Sequence, residues 1–155
     1  MAARFRSGAF PFVACFFQRT RDMNVASEAT NKALVLVALD TLFNERDYRV
    51  AEQYWSPGLI LHCAHIAPGR KGLFEFVKAA PATLRYEPGL IVANDDYVIV
   101  HARISGIGRP RNSIIATILR IQDGCVAEQW EVVQDEASQA ETKSGRPMFG
   151  NMFVD

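Results

Sequence analysis

The sequence predicts an α+β fold, with three N-terminal helices on the concave face of a curved mixed or antiparallel sheet. The first half carries apolar residues at helical spacing, and the second carries four strand-length runs rich in Ile and Val, parted by turn clusters. The 155 residues, 49% hydrophobic and 22% charged with 10 Gly and 7 Pro, suit one folded domain with a sizeable core.

Ser27 is placed to cap the first helix and Glu28 lies in its first turn, where the helix dipole favours an acid. Val35, Leu39, Leu42 and Phe43 form its apolar stripe, which Leu34, Val37 and Ala38 widen until little of the helix is left for water. A second, short helix is expected over residues 48–54, stopped by Pro57-Gly58. A short strand follows over 59–63, and a third helix over 71–80 turns Leu73, Phe74 and Val77 inward before Pro81. Strands are then predicted over 84–93, 97–106, 113–122 and 125–134. The last two are joined by Asp123-Gly124, a strong hairpin signal.

Charge and cysteine usage exclude several functions. Seventeen basic residues balance seventeen acidic ones, so the molecule lacks the basic field that nonspecific DNA or RNA binding uses. That balance joins a +3 leader (residues 1–22, with Arg4, Arg6, Arg19 and Arg21) to a −3 body. The leader is read as an extension ahead of a single domain over 23–155. It has some marks of a secretory signal but no cleavage site, Pro11 disfavours a mitochondrial presequence, and Met23 is an alternative start. Cys15, Cys63 and Cys125 are odd in number and lack metal spacing, which favours reduced thiols and a cytoplasmic setting. No stretch approaches the roughly twenty apolar residues of a membrane span.

Strand alternation sorts the polar residues. His101 and Arg103 share a side with Tyr97 and Ile99, opposite Val98 and Val100. Cys125, Ala127, Gln129, Glu131 and Val133 share a side opposite Val126, Glu128, Trp130 and Val132. The small and apolar neighbours of Glu131 point that row toward a cavity, where desolvation would tune the carboxylate toward a neutral-pH general base. The opposing reading leaves Glu131 exposed, or pairs it with Arg103 or Arg120. His62 and His65, three apart, fall on opposite faces of a strand and make no zinc site without further ligands. Cys63 points away from His62, so thiol catalysis is disfavoured. A mid-strand histidine such as His101 is more often a structural hydrogen-bonder than a catalyst.

Several segments together resemble a family: a long apolar helix ending Leu42-Phe43-Asn44, then Tyr54, Leu61-His62-Cys63-Ala64-His65 and Gly69-Arg70-Lys71-Gly72. Val98-Ile99-Val100-His101-Ala102, Asp123-Gly124, Glu128-Gln129-Trp130-Glu131-Val132-Val133-Gln134 and a closing 145–149 segment agree. Over residues 31–149 the chain is similar to the SnoaL-like polyketide cyclases and their aldol-condensation-type relatives, of the nuclear-transport-factor-2-like superfamily. The resemblance implies a cone-shaped α+β domain, a homodimer joined through its sheets, and a pocket for a small apolar organic molecule. It also implies proton transfer next to a carbonyl without metal or cofactor, by a cyclase, isomerase or lyase. By resemblance Glu131 and His62 stand at the family's Asp and His positions; the leading expectation makes Glu131 the general base, His62 and His101 proton donors or enolate stabilisers, and Tyr54, Phe74, Gln129, Trp130 and Arg103 substrate contacts. The chain departs from the family pattern at five places: Gln129 stands for His, Glu131 for Asp, Cys63 for Asn, Ala64 for Pro and Leu61 for Gln. Those departures support the alternative of a ligand-binding or dimerisation module that keeps the fold without the chemistry.

Overall fold

The computed structural model describes residues 27–154; the leader and Met23 lie outside the described residues. Helix α1 occupies residues 27–39 and runs into a π-helical turn, Asp40–Asn44. Side chains intrude on its carbonyl ladder at that point. The Thr41 hydroxyl donates to the Val37 carbonyl (2.7 Å), and the Trp55 indole donates to that of Ala38 (3.1 Å). The turn then closes through the wider bond from Glu45 N–H to Asp40 O, as π-bulges do. Val35, Ala38, Leu39, Leu42 and Phe43 are buried, but Leu36 and Val37 stand 36% and 42% exposed, so the helix is covered on one side and not all round.

Asn44 clasps the end of α1 to the sheet: its side chain donates to the Tyr86 carbonyl (3.0 Å) and accepts the Tyr86 N–H (2.9 Å). Helix α2 (Tyr48–Ala51), capped by the Asp47 carboxylate on Val50 N–H, is followed by β1 (Trp55–His62). β1 starts earlier than the sequence suggests. Pro57 and Gly58 lie within it, which an edge strand tolerates, and its register shifts between Trp55 and Ile60. Helix α3 (Gly69–Ala79) buries Leu73, Phe74 and Val77 as expected.

β2 (Arg85–Asn94), β3 (Tyr97–Ser105), β4 (Ser113–Gln122) and β5 (Cys125–Asp135) form an antiparallel meander. β1 adds to β5 in parallel, giving the order β1-β5-β4-β3-β2. Asp123 and Gly124, both at positive φ, make the β4–β5 hairpin. Beyond that turn lies a bulge: Arg120 faces Glu128 while Ile121 faces Val126, leaving Ala127 as the extra residue. This corrects the simple alternation along β5. Val126, not Ala127, joins Gln129 and Glu131 on the inner face, where it is fully buried.

The inner face packs on the helices. The segment after β5 returns over the outer face: Glu136 pairs with the buried Arg103 guanidinium (2.5 Å), and the Phe149 ring lies against Arg103 (4.7 Å) and His101 (5.7 Å). Trp55, with no exposed surface, joins α1 to β1 through its indole bond. Trp55→Phe is expected to lower unfolding free energy by roughly 2 kcal/mol through the lost bond and the unfilled volume, read from a urea midpoint shift.

Candidate active site

Where β1 and β5 end and β3 gives way to β4, the inner face and the helices enclose a cavity of about 400 Å³. Its walls are largely apolar, with Phe43, Leu84, Ile104 and Ile115 among them, and His65, Arg109 and Asp135 stand at its exposed rim. Three polar side chains line it below that rim: Cys63, Ser113 and Glu131.

Backbone phase explains why these three converge. β4 turns Ser113, Ile115, Thr117, Leu119 and Ile121 inward, and their partners on β5 are Asp135, Val133, Glu131, Gln129 and Val126. Parallel pairing sets Leu61 beside Gln129 and His62 beside Trp130, so the next residue, Cys63, turns inward toward Glu131. The Glu131 carboxylate accepts a short hydrogen bond from the Gln129 amide and another from the Cys63 thiol. Burial raises its pKa above the usual carboxylate range, and these two donors offset part of the rise. Gln129 is itself buried, and its amide oxygen has no partner among the described residues.

The carboxylate marks its neighbours in turn. Burial, the Glu131 charge and the hydrogen bond to it push the Cys63 thiol up to about 12. Tyr86, buried and 3.4 Å from the Thr117 hydroxyl, is likewise pushed up to about 12, chiefly by burial, with the Glu131 charge adding to it. Cys63 is therefore a neutral thiol. Against an ordinary thiol at 9.0, its thiolate fraction at pH 8 is lower by roughly a thousandfold. Iodoacetamide is expected to alkylate Cys63 slowly at pH 8 by peptide mass spectrometry, and faster in Glu131→Gln, where the adjoining charge is gone.

The remaining sequence-derived candidates lie elsewhere. His62 is on the outer face, stacked on Trp130 (4.7 Å between centroids) and bonded to Glu128 at 2.8 Å; Arg120 also binds Glu128 (2.9 Å). Those two hydrogen bonds hold the Glu128 carboxyl below its ordinary value. His101 and Arg103 are also outside, under the returning C-terminal segment. The geometry therefore joins Gln129 to Glu131 but separates His62, His101, Trp130 and Arg103 from it by the thickness of the sheet. Phe74 is in the core against Tyr48 (6.1 Å), and Tyr54 packs at the edge of that core; neither lines the cavity. Glu131 is paired with neither Arg103 nor Arg120, whose carboxylate partners are Glu136 and Glu87, and Glu128. Among the described residues no group of three or more His, Cys, Asp or Glu is arranged to hold a metal, and no helix is long and apolar enough to cross a membrane.

Ser113, Thr117 and Tyr86 were not singled out by sequence reasoning. The alternation of β4 carries the signal for the first two, since both share the parity of Ile115 and Leu119.

No protein-family model matches the sequence, and no curated protein does. Solved structures do. A Kribbella flavida protein provisionally named a ketosteroid isomerase superposes with a TM-score of 0.62 at 16% identity, over 70% of this chain and 80% of that one. A Jannaschia protein provisionally named a SnoaL-like polyketide cyclase gives 0.55 at 22%, over 70% and 88%. A nuclear-transport-factor-2-like protein of unknown function from Cytophaga hutchinsonii gives 0.57 at 12%, over 67% and 89%. The order of helices, the five-stranded mixed sheet and these superpositions agree, and the chain has the nuclear-transport-factor-2-like fold.

Proposed function

We propose that the protein is an acid/base enzyme that moves a proton next to the carbonyl of a small, largely apolar molecule, with Glu131 as the base. One observation carries this reading: a desolvated carboxylate, held by two hydrogen-bond donors, borders an apolar cavity large enough for a small organic molecule. Ionised Glu131 takes the α-proton, and the electron pair moves onto the carbonyl oxygen as an enolate. Cys63, a neutral thiol on the same wall, can turn its S–H from the neutralised carboxyl to that oxygen. In a β,γ-unsaturated ketone the pair spreads into a dienolate, and return of the proton from Glu131 to the γ-carbon makes the reaction an isomerisation; attack of the enolate carbon on a second carbonyl, whose new alkoxide takes the proton back from Glu131, makes it a cyclisation. The names of the structural neighbours support this class without specifying a substrate.

The bond from Gln129 to Glu131 favours a second reading, a binding module in which the carboxylate is held within the wall and does no chemistry. Deuterium uptake at the α-carbon of 2-tetralone in D₂O separates the two: uptake above background in the wild type, lost in Glu131→Gln, supports catalysis, and binding without uptake supports the module. We further propose a homodimer formed through the outer sheet face, where Tyr97, Ile99 and Val132 stay exposed around the partly covered Trp130.

A further inference from the structure

Ser113 is 3% exposed and its hydroxyl has no hydrogen-bond partner among the described residues, yet it lines the same cavity as Glu131. A buried hydroxyl left in this state lowers stability, because it has given up water without replacement. The fold does not require it. The inner positions beside Ser113 hold Ile115 on its own strand, Ile104 on β3 and the exposed Asp135 on β5, and of these only Asp135 is polar.

We infer that Ser113 is a specificity-determining residue that hydrogen-bonds the far polar end of the substrate, and that the substrate is a bifunctional molecule with a carbonyl at one end and a hydroxyl or second carbonyl at the other. The inference rests on Glu131 acting at the carbonyl end. Ser113 pairs with Asp135, and Thr117 pairs with Glu131, so the two polar positions lie four residues apart on one face. At a strand rise near 3.4 Å that is roughly 14 Å between backbones along the strands. That spacing excludes Ser113 as a donor to the enolate formed at Glu131, and it suits the opposite end of a molecule the length of two fused rings. The wall between them, Ile115 and Val133, is apolar and matches a hydrocarbon middle.

The test compares 2-tetralone with 6-hydroxy-2-tetralone, which adds only a hydroxyl at the far end, by titration calorimetry on the full chain. Wild type is expected to bind the hydroxy ketone about five- to tenfold more tightly, the worth of one neutral hydrogen bond, and Ser113→Ala to bring that ratio close to one. Removal of an unpaired buried hydroxyl is expected to raise the thermal midpoint of the free protein by about 3–5 °C, which separates loss of the contact from loss of the fold. Equal affinities in the wild type, a ratio that survives Ser113→Ala, or no binding of either ketone would overturn the inference. Glu131→Gln distinguishes it from the reading on which it rests. That variant keeps the affinity ratio and loses deuterium uptake if both hold; a kept ratio with uptake undiminished means that Ser113 is assigned correctly and Glu131 is not the base.

Discussion

Glu131→Gln is expected to slow α-proton exchange by about 10²–10⁴-fold, the usual contribution of a positioned general base, while leaving a folded protein that is more stable at neutral pH. Both effects have one origin. Burial favours the protonated carboxyl, so its pKa in the folded chain exceeds its ordinary value of 4.5. Below about pH 4.5 the carboxyl is protonated in folded and unfolded chains alike and ionisation costs nothing. As pH rises from there to the raised folded value, the unfolded chain ionises first and stability falls; above that value the full cost is present and constant. The thermal midpoint of Glu131→Gln should therefore pull ahead of wild type across that window and keep its lead above it. In the wild type, kcat/KM for exchange should climb with pH through the raised folded pKa, with its half-point above the ordinary carboxylate range. A half-point at or below 4.5, or a variant less stable than wild type at pH 7, would contradict this account of the carboxylate.

The second large effect is structural and reaches the same cavity. A Cβ added at Gly72, in the first turns of α3, would fall 1.9 Å from the Ala67 carbonyl oxygen and 2.4 Å from its carbon. Both are backbone atoms, so no rotamer change relieves the clash. Either α3 withdraws from the core, where Leu73 and Val77 have no exposed surface, or residues 63–67 shift. The second route moves Cys63, Ala64, His65 and Ile66, all of which line the cavity. Gly72→Ala is expected to cost about 3–5 kcal/mol in a urea titration. The protein that remains folded should also bind 2-tetralone more weakly, because the wall beside Glu131 no longer closes. A cost below about 1 kcal/mol would show that the segment moves freely.

How much of this was legible in the sequence differs by element. The strands of the meander were, because Ile and Val alternate between clear turns, and β4 was bounded at Ser113 and Gln122 as observed. The parallel union of β1 with β5 was not: it joins segments about seventy positions apart, and no local pattern marks it. Nor was the bulge at Ala127, since Val126 and Ala127 are both apolar and either parity looks plausible from composition. The burial of Glu131 survived that error because its own parity, counted back from Val133, does not cross the bulge. Histidines attracted attention for their chemistry, whereas position is decided by which face each strand turns to the helices. Counting parity from Val98 and Val100 puts His101 outside; what the sequence could not say alone was that Phe149, from the segment after β5, packs on it there.

The β1–β5 union also has a consequence in time. The meander β2 to β5 can zip up through three successive hairpin or loop closures, each over a short stretch of chain. β1 must wait for β5, and closing so long a loop carries an entropic cost that local contacts do not. Cys63, directly after the edge strand β1, is therefore expected to reach Glu131 late in assembly. By the same reasoning β1 is a place where the sheet can open locally, and with it the wall that Cys63 forms beside Glu131.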